Sequence, residues 1–134
     1  MVRAKLAVFA LIVLIVGCQT IFEYHKEDKF SGTTSAYKHA LIWSDYQTAS
    51  SFLLPEKAQG IDFEKLNNIK VTGYEVKKVT VSDNELNQVR IVKISYFKKN
   101  DMIIRTFNEE EAWEFDQTKN AWSLISGFPE FDLK

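Results

Sequence analysis

Val89-Arg90-Ile91-Val92-Lys93-Ile94-Ser95-Tyr96-Phe97-Lys98, followed by Lys99-Asn100-Asp101 and then Met102 to Phe107, is the stretch on which the fold turns. Val92, Ile94 and Tyr96 share one parity, the period of a strand with one buried face. Asn100-Asp101 supplies the residue types of a tight turn into a second strand. Outward from there, Glu109 to Asp116 continues with Trp113 and Phe115 on the parity of Phe107. A Gln117 to Asn120 loop leads to a last strand at Ala121 to Ser126. On the other side, Ile69 to Ser82 carries Val71, Tyr74, Val76, Val79 and Val81 before a turn at Asp83-Asn84-Glu85. The change of parity between Val76 and Val79 predicts a bulge near Lys77-Lys78, where the sheet would bend.

The residues before this meander read as helix. Ala36, Tyr37, Ala40, Leu41, Trp43, Ala49, Phe52 and Leu53 fall largely at the three-and-four spacing of one apolar face, with Thr34 or Ser35 as N-cap and Pro55 as terminator. Gly60-Ile61-Asp62 opens a shorter helix capped by Asp62, with Phe63, Leu66 and Ile69 directed inward. Helices followed by four or five antiparallel strands give an α+β domain, with the long helix lying across a bent sheet. In element order, in the Ala40-Leu41-Ile42-Trp43 to Phe52 helix and in the closing Trp113 to Gly127 hairpin, residues Ser35 to Phe131 resemble the nuclear transport factor 2-like (cystatin-like) superfamily of cone-shaped folds. A lipocalin-like meander fits the strand order as well. The superfamily resemblance implies either an isomerase or dehydratase with an Asp or His in the cone, or a non-enzymatic binding or assembly module.

At the other end, Arg3 and Lys5 precede an eleven-residue apolar run, Leu6 to Val16. A cationic start and an apolar stretch of about 7–15 residues form an export signal, whereas a spanning helix needs about 20. The run closes on Leu14-Ile15-Val16-Gly17-Cys18, which resembles the lipobox of bacterial lipoproteins. That resemblance covers residues 1–18 and implies cleavage before Cys18, a thioether-linked diacylglycerol on its sulfur and acylation of the new amine. The organisation expected is a signal peptide over 1–17, the lipidated cysteine and a tether over 18–34, and one α+β domain over 35–134. Gln19, where an Asp would mark inner-membrane retention, points to an outer membrane facing the periplasm if the source has two membranes. Cys18 is the single cysteine, so the exported domain has no internal disulfide and relies on packing.

Composition narrows the function. The 134 residues carry 17 Lys+Arg against 18 Asp+Glu, which lacks the basic excess a nucleic-acid binder needs. With 46% hydrophobic residues and only 2 Pro and 5 Gly, an ordered core is expected. No catalytic constellation and no cofactor motif appears. His39 would serve as a general base near neutral pH, but it has no partner at a recognisable spacing. Asp45, beside Tyr46, would need to turn into the apolar interior to act as a base, against a solvated helix face. Glu109 and Glu111 share one strand face with Glu110 opposite. They offer carboxylate oxygens for a hard cation, yet nothing else stands at a metal-loop spacing, so no metal is expected and a solvated charge run is the simpler reading. Lys77, Lys78, Arg90, Lys93, Lys98 and Lys99 offer a basic stripe for anionic headgroups, or simply a soluble face. Trp43, Tyr74, Tyr96, Trp113 and Trp122 are the candidate pocket or partner surface. The tail from Gly127 to Lys134, with Phe128, Pro129 and Phe131, folds back over the sheet end or exposes its rings.

The expected function is therefore a membrane-anchored envelope lipoprotein whose domain binds an envelope protein or self-associates without catalysis. A carrier or sensor for a small apolar ligand held in the cone cavity, lined by Trp43, Tyr74 and Tyr96, is the alternative, and an enzyme of the isomerase or dehydratase kind comes last.

Overall fold

The computed structural model describes residues 25–134. The signal peptide expected over residues 1–17, Cys18 and the first part of the expected tether lie outside the described residues. Contacts divide the chain into two compact units, Met1–Gly32 and Thr33–Lys134. In the first, residues 25–32 are helical.

The second unit opens with helix α1, residues 33–42. Residues 25–34, expected within the tether as a loose or flexible segment, are helical, and neither Thr34 nor Ser35 caps a helix start. Lys26, Glu27 and Lys29 are good helix formers, and the single Gly32 costs only about 1 kcal/mol. Nor does one helix run on to Pro55. After residue 42 the chain turns through Ser44, at φ 59°, and Asp45 restarts it as α2, Tyr46–Ser50, by accepting from the Thr48 N–H. Lys70 Nζ donates to the carbonyl of Ile42 at 2.6 Å, satisfying an orphan group at the end of α1. Pro55 starts a short helix, α3 (Pro55–Ala58), instead of ending a long one, as its fixed φ suits a first helical position. Asp62 caps α4, Phe63–Leu66, through the Lys65 N–H, as the sequence predicts.

Four strands follow: β1 (Ile69–Val81), β2 (Asn87–Lys98), β3 (Ile104–Asp116) and β4 (Ala121–Leu124). They form one antiparallel sheet in the order β1-β2-β3-β4. The two stretches Met102 to Phe107 and Glu109 to Asp116 are a single strand, because Asn108 keeps its register opposite Lys93. The register of β1 against β2 shifts between Val76 and Lys78, where the bulge was expected, and also between Val71 and Gly73. The second shift turns Tyr74 onto the face that carries Val71, which strict alternation forbids. Gly73 fits this bend because a Cβ there would meet Ser95 Cβ at 3.3 Å.

Helix α1 packs on one face of the sheet. Tyr37 and Leu41 are fully buried there, together with Ile69, Val71, Val92, Ile94, Trp113 and Leu124. Tyr37 meets the rings of Trp113 and Phe52 edge to face, with centroids 5.4 and 6.0 Å apart. The fold is thus α+β, an N-terminal helix on an open four-stranded antiparallel sheet. No helix among the described residues is long and apolar enough to cross a membrane.

Candidate functional site

Opposite one another in the β2–β3 register stand Arg90 and Glu111, both on the helix-covered face. The glutamate side chain is 1% exposed, and Arg90 Nη2 reaches its Oε2 at 2.8 Å. The Tyr74 hydroxyl, delivered by the bulge at Thr72, donates to both oxygens of the same carboxylate, and Arg90 Nη2 donates to the Tyr74 hydroxyl at 2.7 Å. Trp113 adds a longer indole contact to Glu111, 3.4 Å. A buried charge is tolerated only when paired and hydrogen-bonded, and here one carboxylate collects three kinds of donor. Glu111 is thus no part of a solvated acidic run. Only Glu110, on the opposite face, fits that reading fully.

Two neighbours are less satisfied. The Tyr37 hydroxyl is buried and has no hydrogen-bond partner among the described residues. Burial, and next the negative charge of Glu111, push its pKa well above the ordinary tyrosine value. Burial likewise raises Tyr74, reinforced by Glu111 and opposed by Arg90. Glu109 is half-buried and pushed up to about 7, first by burial and then by the charges of Glu111 and Glu130, while the Glu130 backbone works the other way. An acid whose pKa is raised on folding contributes stability that is complete below its unfolded value, 4.5, and is lost as the pH climbs to about 7. Glu109→Gln should therefore melt higher than the wild-type protein at pH 8 and show little difference near pH 4. Equal melting temperatures at pH 8 would count against this assignment.

A second cluster lies farther along the same strands. Phe131, brought back by the tail, is buried with Tyr96 and Phe107 at centroid distances of 5.0 and 5.8 Å, and with Tyr46 at 6.4 Å, all steeply inclined to its ring. The backbone N–H of Asp132 donates to the Tyr96 hydroxyl at 3.1 Å. Lys98 Nζ, on a side chain only 8% exposed, binds the Asp132 carboxylate at 3.0 Å and donates to the Lys134 carbonyl. The tail therefore folds back, the first of the two readings open in the sequence.

Of the five aromatic candidates, Tyr74, Tyr96, Trp113 and Trp122 are inside and Trp43 is 69% exposed beside His39. The structure brings Tyr74 and Trp113 together at Glu111 and places Tyr96 in the aromatic box, while Trp122 meets Phe115 at a tilt of 55° at the sheet's other end. His39 and Asp45 are exposed, the latter spent on capping α2. The basic stripe is broken, because Arg90 and Lys98 point inward and are paired. No group of side chains able to hold a metal occurs among the described residues. Sequence reasoning missed Phe107 as a wall of this box, Phe131 as its occupant, and the Arg90–Glu111 pair. Equal distances from the Asn100-Asp101 turn could have matched Arg90 with Glu111.

The surface carries a different signal. Met102, Ile103 and Ile104, at the β2–β3 hairpin tip, are 64, 59 and 60% exposed. Asp101 and Arg105 clamp the tip with a 2.6 Å ion pair, and Asp101 also accepts from the Ile103 N–H. That pairing holds the Asp101 carboxyl down at about 2. Val76, Val79 and Val81 on the sheet-edge strand β1 are also 41 to 51% exposed.

No protein-family model matches the chain, and neither does any curated protein. Among solved structures it is similar to a sec-c motif containing protein from Psychrobacter arcticus, with a TM-score of 0.50 and 11% identity over 69% of this chain and 56% of that one. The chain thus spans 56% of the length of that structure, and at this identity the likeness concerns the fold alone.

Proposed function

We propose that the chain is a membrane-anchored envelope lipoprotein whose folded unit is a non-enzymatic module that docks a partner protein or assembles with copies of itself. The lipobox-like Leu14 to Cys18 supports the anchor, and export would place the domain on the periplasmic side of an outer membrane where the source has two. The observation that carries the docking role is the hairpin tip. Three consecutive apolar side chains, each more than half exposed, stand beside the Asp101–Arg105 ion pair, while Trp43 is the only large aromatic comparably exposed among the described residues. Contiguous exposed apolar surface is costly to keep in water and marks interaction sites. The helix across the sheet and the two register shifts of β1 support a cone-like, nuclear transport factor 2-like or cystatin-like form of the α+β fold.

A photo-cross-linker at Lys99 in the full chain, expressed in its own cells, is expected to capture one protein or a second copy. Met102→Ser, Ile103→Ser and Ile104→Ser together should abolish that product without lowering the melting temperature. An undiminished product from the triple variant would contradict the docking role.

A carrier or sensor of a small apolar ligand is the second reading. It is favoured by the box of Tyr46, Tyr96 and Phe107, which already accommodates a phenyl ring. An isomerase or dehydratase draws least support, since His39 and Asp45 lie at the surface.

A further inference from the structure

The segment that fills the aromatic box is attached to the sheet without joining it as a strand. From Gly127, whose φ of 99° makes a sharp departure from the sheet, to Lys134 it forms neither helix nor strand. Its ties are side-chain ties: the Phe131 ring among Tyr96, Phe107 and Tyr46, the Asp132 carboxylate on Lys98, the Asp132 N–H on the Tyr96 hydroxyl, and the Glu130 backbone on Glu109. The box and its lysine belong to the sheet and to α2, and they sit at one end of two long strands. Lys98 is a buried cation, so without the Asp132 carboxylate and the Lys134 carbonyl it would lose both of its hydrogen-bond acceptors. Such a site reads two chemical groups in series, an aromatic ring and then a carboxylate one residue later, with the intervening N–H checked by a tyrosine hydroxyl.

We infer that the Tyr46–Tyr96–Phe107 box with Lys98 is a recognition site for a peptide segment bearing an aromatic residue followed by an acidic one, and that the chain's own Phe131–Asp132 fills it as an internal competitor. The partner is a polypeptide of that chemistry, because the occupant is one and because the buried ammonium selects a carboxylate at the second position. The segment from Gly127 adds no strand to the sheet, so its release exposes the site while the β1-β2-β3-β4 pairing stays in place. The inference concerns a surface other than the hairpin tip and holds whether or not that tip docks a partner.

The test uses the full chain in detergent and a fluorescent peptide of residues 127–134, followed by anisotropy. Phe131→Ala empties the box of its ring, and the peptide should bind this variant at least about tenfold more tightly than the wild-type chain, whose site is occupied most of the time. A peptide carrying Phe131→Ala, or the chain carrying Lys98→Met as well as Phe131→Ala, should lose that binding. No binding to the folded Phe131→Ala chain, or equal binding to variant and wild type, would overturn the inference. Should Phe131→Ala fail to fold, Asp132→Asn serves in its place. It keeps the ring and removes the charge, so peptide binding must rise above wild type, and unchanged binding overturns the inference equally.

Discussion

Arg90→Met is expected to destabilise the folded unit by about 3–5 kcal/mol, the loss found when one partner of a buried ion pair is removed. The reason lies in what remains. Glu111, 1% exposed, would keep its carboxylate in the interior beside Tyr37 and Glu109 with the guanidinium gone. Arg90→Met combined with Glu111→Leu should recover most of the loss, since an apolar pair of similar volume removes the stranded charge. Tyr74 and Trp113 would then each lose Glu111 as an acceptor, which sets a limit on the recovery. Urea denaturation of the two variants beside wild type measures both. Additive destabilisation in the double variant would mean that Arg90 and Glu111 do not act as a unit.

Cys18→Ser is expected to have the largest effect on location, moving the protein from the membrane fraction to the soluble one or stalling it with its signal uncut. One acyl chain binds a bilayer marginally and two or more bind it firmly, at about 0.8 kcal/mol per buried methylene. Loss of every chain at Cys18 therefore removes the attachment, while the triple substitution at the hairpin tip should leave it intact. Fractionation of cells labelled with radioactive palmitate reads both outcomes. A Cys18→Ser chain that stays in the membrane and keeps its label would contradict the anchor.

The sequence announced the sheet well and the helices poorly, for physical reasons. Period-two alternation in Val92, Ile94 and Tyr96 and the parity change before Val79 report directly on which face is buried, so three strands and one of the two register shifts were legible. Asp62 was readable as a cap because its side chain bonds its own local backbone. The first helix was misjudged at both ends, because charged residues before Thr34 are compatible with helix as well as tether and Trp43 mimics the apolar face it terminates. Burial of Glu111 left only a partial local mark: parity puts Glu110 on the other face, but Glu109 and Glu111 share one face, and only cross-strand pairing with Arg90 singles out Glu111 as the fully buried acid. The shift near Gly73 was equally silent, since Tyr74 looks like an ordinary strand residue on either parity. As for the box, Tyr96 was among the candidates but its occupant was not, because a tail's destination depends on contacts distant in sequence.

Intact-mass measurement of the full-length chain recovered from bacterial membranes tests the anchored-module account most directly. The account predicts a chain that begins at Cys18 and carries the added mass of diacylglycerol and an acyl chain. A chain that retains residues 1–17, or is cut elsewhere with Cys18 unmodified, would contradict it.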